Sequence, residues 1–437
     1  MKSIQGSASK PFSPENIQSG SELIINGSVY RIRDMGTFAF IILRTSRHLV
    51  QCVLDPQKCD FNLGTLQEND SIEAFGVINS DERAANGFEL CLLSISILSS
   101  PFVQMPISIN KKGLNVSLEV NLQNRPFVLR NHKQRAVFKL QEGIVSGFRN
   151  HMISMGFTEI HSPKIVKFGA EGGANIFKLD YFGEKAYLAQ SPQFYKQTMV
   201  GVFDRVFEIA PVYRAEKHNT SRHLNEYIGL DFEMAYIKDM YDVMAMETSM
   251  LREVMDELKT NYSAELNLLN VDLPQIDVIP AFTFIEGKEL LKSLGHKIKN
   301  YYDFEPDEEI AISEYVKKEY NSEFVFISHF PSSKRPFYVM DDKDDPDYAL
   351  SFDLFFRGLE ITTGGQRIHD YAEQVQKMKE KGLDPNDFES YLMIHKYGMP
   401  PHGGLGIGLE RLLMRLLNQQ NVREASLFPR DMTRLDP

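Results

Sequence analysis

The chain reads as an α+β protein in two parts: a small N-terminal β-barrel, then a larger domain built on an antiparallel sheet flanked by helices. Three observations predict this. Residues 22–100 hold five short apolar or β-branched runs separated by turn residues. Helix-period patterning starts only beyond residue 130. At 437 residues, the chain is also longer than the ~250–300 at which a single core usually divides.

Composition narrows the class. Hydrophobic residues make up 43% and charged residues 24%, which excludes wholesale disorder and a collagen-like chain. No run approaches the ~20 apolar residues of a membrane span, so no membrane partner is expected. The first residues, MKSIQGSASK, lack the apolar core of a signal peptide. Cys52, Cys59 and Cys91 form no CxxC pair and leave an odd count. That pattern argues against a disulfide framework or zinc site and for a reducing, cytoplasmic setting. The net charge of −11 argues against bulk affinity for nucleic acid, but it does not describe local patches.

The expected strands are Leu23–Ile32, Phe38–Leu43, Leu49–Leu54, Ser71–Ile78 and Phe88–Ile97. Asp34-Met35-Gly36, Asp55-Pro56 and Ala85-Asn86-Gly87 punctuate them. Five strands in so short a span suggest an OB-fold barrel in residues 1–105, although another five-stranded barrel has the same periodicity. Residues 106–132, with Pro106, Lys111-Lys112-Gly113 and Pro126, read as a linker to the domain 133–437. Val137, Leu140, Ile144, Phe148 and Met152 mark an amphipathic helix, with Gly156 as its C-cap. A second helix is expected from Ile237 to about Leu258, its Met240, Met244, Met250 and Met255 filling core. Residues about 265–330 read as a small insertion, with Glu305–Glu309 and Lys317-Lys318-Glu319 on solvated helix faces.

Four stretches carry chemistry. In Arg205–Glu233, strand alternation puts Glu208, Val212, Arg214 and Glu216 on one face, and Tyr227, Asp231 and Glu233 on one face of the return strand. A polar loop with Arg222 and His223 joins them. Such a face is costly unless it meets a ligand, and Arg214 suits a phosphate or carboxylate. In Met399–Leu417, the glycines Gly403, Gly404, Gly406 and Gly408 read as a loop before a leucine-rich helix, with Arg411 in its first turn. In Ser351–Arg367, a turn at Arg357-Gly358 is expected to set Phe355 against Glu360 and Asp353 against Thr362. Carboxylates and hydroxyls there are hard oxygen donors suited to Mg²⁺ on nucleotide phosphates, and Arg367 is a candidate anion receptor. In Phe168–Lys196, Glu171-Gly172-Gly173 reads as a lid, and Gln190-Ser191-Pro192-Gln193 with Lys196 as a polar cluster.

These stretches resemble a known family. RAEKHNTSRHLNEYIGLDFE is similar to motif 2 of the class II aminoacyl-tRNA synthetases, GGLGIGLERL to motif 3, and GFTEIHSPKI, with Pro163, to motif 1 at the dimer interface. With the barrel, QSPQFYKQ and GGQRIHD, the chain resembles the aspartyl-tRNA synthetases of the archaeal and eukaryotic type. The resemblance implies attachment of L-aspartate to tRNA(Asp) through an aspartyl-adenylate, with ATP as substrate, Mg²⁺ as cofactor and a homodimer as the assembly. It leaves open whether tRNA(Asn) is charged as well. It further implies that Arg214 grips the α-phosphate and substrate carboxylate. Glu216, Arg222, His223 and Leu224 would meet ATP, with adenine between Tyr227 and Arg411. Asp353 and Glu360 would hold magnesium, with Thr363 where the family usually has serine. Lys196 and Arg367 would read the side-chain carboxylate, and Glu171, Gln193 and Asp231 would surround the amino group. Gly408, Leu409, Glu410 and Arg411 match the ATP-binding segment of motif 3. Arg33, Phe40 and Gln51 match the anticodon-reading surface, where an unpaired base stacks on an aromatic ring.

By the same resemblance, catalysis rests on Arg214, Glu216 and Arg411, through alignment and charge neutralisation. Two buried cations, Lys196 and Arg367, would be undercompensated by asparagine, which argues against an asparaginyl-tRNA synthetase. A non-catalytic RNA-binding relative is expected to have lost Arg214, Glu360 or Arg411, and all three are present. An enzyme making a free amino-acid amide is expected to lack the barrel.

Overall fold

The computed structural model describes residues 12–14, 17–84, 86–111, 113–169, 175–217 and 219–436. Of these, the residues up to 116 with 126–132 form one compact unit; 117–125 with those from 133 onward form another.

In the first unit each apolar run becomes one strand: β1 (Glu22–Asp34), β2 (Ala39–Arg44), β3 (Leu49–Leu54), β4 (Ser71–Ser80) and β5 (Phe88–Ser99). They close into a barrel in the order β1-β2-β3-β5-β4. The period of two fills its interior. Ala39, Ile41 and Leu43 of β2 and Val50, Cys52 and Leu54 of β3 are buried, while Phe40, Ile42 and Gln51 between them stay on the outer face.

In the second unit the strands are β6 (Thr158–Glu159), β7 (Ile165–Val166), β8 (Lys178–Tyr181), β9 (Glu184–Leu188), β10 (Arg205–Tyr213), β11 (Glu226–Ala235), β12 (Ala281–Thr283), β13 (Phe324–Ser328), β14 (Ser351–Phe356), β15 (Glu360–Arg367) and β16 (His402–Gly408). Eight of them form one sheet in the order β12-β13-β14-β15-β16-β11-β10-β6, antiparallel except at its two edges. β7, β9 and β8 make a small separate sheet.

Two long helices cover one face of the large sheet. Helix His132–Ser154 buries Val137, Leu140, Ile144, Phe148 and Met152, as their spacing predicts. Leu140, Ile144 and Phe148 are completely enclosed, about 1.5–3 kcal/mol each relative to exposure. Gly156, at φ +80°, ends it as a Schellman turn: Phe157 N donates to Met152 O at 2.9 Å and Gly156 N to Ile153 O at 3.0 Å. The second helix runs Met240–Asn261, starting later than expected because Asp239 caps it through Tyr241 N at 2.8 Å. Its methionines join the core. Among the described residues no helix is long and apolar enough to cross a membrane.

Three expectations need correction. First, the glycine-rich run is not a loop but β16, paired to β15 on one side and β11 on the other. Second, residues 265–330 are not a solvated appendage. β12 and β13 extend the main sheet, and on helix Pro306–Tyr320 Glu308 and Glu309 are buried. Glu308 accepts from Lys288 Nζ at 2.7 Å; Lys317 and Lys318 are exposed, as read. Third, Phe355 does oppose Glu360, but a bulge after Leu354 sets Asp353 against Thr363 rather than Thr362. Thr362 points to the other face and donates to buried Glu247 at 2.6 Å.

Candidate active site

The exposed face of the large sheet floors a cavity of about 340 Å³. Register builds that floor. Glu208 pairs with Asp231, and Val212 with Tyr227, so both strands present the face expected of them. On β16, Gly404 and Gly406 oppose Glu233 and Asp231 of β11; on β15, Thr363 opposes Gly406. A Cβ at Gly404 would stand 2.2 Å from Phe232 O and 2.3 Å from Glu233 Oε2, and one at Gly406 would stand 3.0 Å from Asp231 Oδ2. At Gly404 only glycine fits beneath the backbone and Glu233, and at Gly406 a side chain would press on the Asp231 carboxylate.

A charge cluster lies at one end of the floor. Lys196, on helix Gln193–Phe203, donates to Asp231 Oδ2 at 3.0 Å and Leu405 O at 2.7 Å, and stands 3.4 Å from Glu233 Oε2. Arg367 donates through Nη2 to Gly404 O at 2.8 Å and engages Glu233 through Nε at 2.7 Å. All four charged groups are buried. Burial pushes Asp231 up, and Lys196 only partly offsets it. Burial acts the same way on Glu233, but Arg367 and Lys196 outweigh it and hold that carboxyl below its usual range. In the chain alone Lys196 and Arg367 meet two carboxylates, Asp231 and Glu233, with Glu233 between them. Gln193 is buried at 3% exposure, and its Nε2 has no hydrogen-bond partner among the described residues.

The other end is rich in arginine. Arg214 lies 5.8 Å from the Tyr227 ring and 3.9 Å from Glu216. His223 Nδ1 is 2.6 Å from Thr220 Oγ1, and its Nε2 is 3.6 Å from Glu216; burial lowers the His223 pKa. Arg222 pairs with Glu309, which also accepts from Glu360 N at 3.1 Å. Arg411 donates to Glu360 O at 3.0 Å and lies 3.7 Å from its carboxylate. Burial alone would raise Glu360, but Arg411 outweighs it, helped by Thr363 Oγ1 donating at 3.0 Å. Asp353 Oδ2 accepts from Arg335 Nη2 at 2.9 Å, while its Oδ1 is buried without a partner among the described residues. Burial, with Glu360 adding to it, pushes Asp353 up to about 7 against the pull of Arg335.

Gln193, Lys196, Arg214, Glu216, Arg222, His223, Leu224, Tyr227, Asp231, Glu360, Thr363, Arg367, Gly408, Glu410 and Arg411 all line this one cavity. Asp353 sits behind Arg335, a lining residue. Leu409 faces the hydrophobic core instead. Glu410 lines the wall, but its carboxylate accepts from Ile228 N at 3.1 Å, and burial raises it to about 8. Glu171 lies outside the described residues. Among the described residues no group of three or more His, Cys, Asp or Glu gathers as a metal site. Glu233 carries a visible signal, two positions beyond Asp231 on the same face, yet it is absent from the residues the motifs assign. Arg335 and Tyr338 lie in a stretch with no motif, and Glu309 is hidden in an acidic run.

In the barrel, Arg33 of β1 stands opposite Phe40 of β2, and Gln51 of β3 opposite Ile42. Phe38 meets the Phe40 ring edge-on at 5.2 Å, and Gln51 donates to Glu89 at 3.3 Å. The three candidates thus share one outer surface, joined by an unforeseen aromatic ring and carboxylate.

Comparison with known proteins places this geometry. Residues 117–432 match the family described as tRNA synthetases class II (D, K and N), and residues 23–98 match the OB-fold nucleic acid binding domain. A protein of Deinococcus radiodurans named aspartate--tRNA(Asp/Asn) ligase is 42% identical over 425 residues, 96% of each chain. The aspartate--tRNA(Asp) ligase of Pyrococcus abyssi is 38% identical over 96% of this chain and 97% of its own. Among solved structures, the asparaginyl-tRNA synthetase of Pyrococcus horikoshii complexed with asparaginyl-adenylate superposes with a TM-score of 0.89 at 30% identity, covering 96% of this chain and 97% of that one. The aspartyl-tRNA synthetase of Entamoeba histolytica does so with 0.85 at 31%, covering 96% and 90%. With residues of motifs 2 and 3 gathered around one cavity and an OB-fold barrel ahead of them in sequence, the chain belongs to the class II tRNA synthetases of the D, K and N group.

Proposed function

We propose that the chain joins L-aspartate to ATP as aspartyl-adenylate and then transfers the aspartyl group to tRNA(Asp). The observation that carries the choice of amino acid is the buried set Lys196, Arg367, Glu233 and Asp231. With Asp231 on the substrate ammonium, Lys196 and Arg367 have only Glu233 between them. One positive charge then remains for one side-chain carboxylate, and the neutral amide of asparagine leaves it uncompensated. ATP–pyrophosphate exchange driven by each amino acid tests this: exchange with aspartate and little with asparagine is expected. The reverse preference overturns the reading.

In the first step the aspartate carboxylate attacks the α-phosphorus in line, and the bond to the bridging oxygen breaks as pyrophosphate leaves. In the second, a hydroxyl of the tRNA 3′-terminal adenosine attacks the adenylate carbonyl and AMP leaves. Arg214 neutralises charge developing on the α-phosphate, while Tyr227 and Arg411 hold the base and Arg222 and His223 the outer phosphates. Asp353, Glu360 and Thr363 fit Mg²⁺: they are hard oxygen donors, and the Asp353 Oδ1 is buried and has no partner among the described residues. When bound, Mg²⁺ would offset negative charge on the nucleotide phosphates.

The barrel would read the anticodon by stacking a base on Phe40, with Gln51 and Arg33 beside it. Relatives at 42% identity are named for both tRNA(Asp) and tRNA(Asn), which supports tRNA(Asn) as a second acceptor. Charging each purified tRNA tests that. A homodimer is supported by the motif 1 segment and the helix end before it, where Ile165, Ile153 and Met155 are exposed. Sedimentation of the intact protein tests it.

A further inference from the structure

Loop residues 219–223 carry Arg222 and His223 between β10 and β11, and three of them are tied to one distant short turn. That turn, Val422–Ala425, follows the helix Leu409–Leu416. Arg423 Nη1 donates to Thr220 O at 2.9 Å, and Nη2 donates to Asn219 Oδ1. Val422 N donates to Ser221 O at 2.9 Å. Asn219, Thr220 and Ser221 are themselves exposed, so little of their own burial holds them in place.

We propose that Arg423 is a positioning residue for nucleotide binding, a clamp that keeps the loop in the form that presents Arg222 and His223 to the cavity. The reading rests on the function proposed above. The link runs through one hydroxyl: Thr220 Oγ1 accepts from Arg222 N at 3.2 Å and lies 2.6 Å from His223 Nδ1. Fixing the Thr220 backbone therefore fixes a hinge shared by the Arg222 backbone and the His223 ring. Arg423 is not among the cavity-lining residues, so it acts only through the loop. It is 6% exposed, and its Nε donates to half-buried Asp431 at 2.7 Å. Its planar fork is thus aimed before any ligand arrives, which a lysine does not reproduce. The segment beyond the turn grips the far end of the loop as well, with Asn225 N donating to Arg430 O at 2.9 Å.

The test compares Arg423→Gln and Arg423→Lys with wild type in aspartate-dependent ATP–pyrophosphate exchange. A clamp predicts that KM for ATP rises about tenfold or more in Arg423→Gln and by less in Arg423→Lys, while KM for aspartate stays within about twofold. An unchanged KM for ATP, or equal rises for both substrates, overturns it. Should Arg423→Gln fail to fold, the exposed-loop variants Asn219→Ala and Thr220→Ala are expected to give the same selective rise, and no effect from either overturns the clamp. If the wild-type chain shows no aspartate-dependent exchange, the functional reading fails, and the clamp is decided separately by trypsin. Cleavage after Lys217 or Arg222 is then expected to be about fivefold faster in the variants than in wild type, and equal rates overturn it.

Discussion

Arg367 donates its Nε to Glu233 at 2.7 Å, and both side chains are buried. Removing one partner strands the other without water. Glu233→Gln is therefore expected to lower unfolding free energy by about 3–5 kcal/mol, as breaking a buried pair does. Urea denaturation followed by circular dichroism measures it, and a loss below about 1 kcal/mol would mean that water reaches the pair.

Arg367→Ala is expected to separate the two substrates. Specificity for aspartate, as kcat/KM in exchange, should fall about 10²–10³-fold, while KM for ATP changes less than about threefold. Parallel losses would mean that Arg367 holds the sheet rather than the amino acid.

Arg214→Ala should abolish adenylate formation, by about 10³-fold or more, with the melting temperature little changed. The guanidinium is half-buried at the cavity wall, so its loss opens no core. An unaltered exchange rate would remove Arg214 from the chemistry.

Glu247 gives a pH prediction. It is fully buried and accepts from Thr362, and burial raises its pKa from 4.5 to about 8. The folded state therefore keeps a proton that the unfolded chain loses near pH 4.5. The resulting stability is full below pH 4.5 and fades as pH rises toward 8. Glu247→Gln keeps an acceptor for Thr362 and removes the charge. Its melting temperature relative to wild type should rise between pH 5 and pH 8.5, by an amount on the order of a few kcal/mol in free energy. A constant difference across that range would contradict the assignment.

Phe40→Ala is expected to raise KM for tRNA by an amount corresponding to about 1–3 kcal/mol and to leave ATP–pyrophosphate exchange untouched. Aminoacylation and exchange on the same preparation distinguish the two.

Much of this was legible in the sequence because period reveals which way side chains point. The alternation in β10 and β11 placed Tyr227 and Asp231 correctly, and the barrel strands followed from their apolar runs. What stayed hidden depends on partners far along the chain. No local rule shows that Gly404 and Gly406 pair on both sides, so β16 reads as a loop. Nor does any local rule foresee the bulge after Leu354 that exchanges Thr363 for Thr362. Glu309 looks solvated because its partner, Arg222, lies 87 residues away. Net charge was the weakest guide: −11 over the chain conceals a cavity lined with Lys196, Arg214, Arg222, Arg367 and Arg411.

The position of β16 bears on how the enzyme is made. Residues 402–408 emerge late from the ribosome, yet they fill the gap between β15 and β11 near the centre of the sheet. Until they arrive, the earlier strands present two open edges able to pair with other chains. The closing contacts span more than 160 residues, from Gly229 to Gly408, a separation that slows folding. A nascent chain stalled before residue 402 should therefore carry a folded barrel, no nucleotide site and a marked tendency to aggregate.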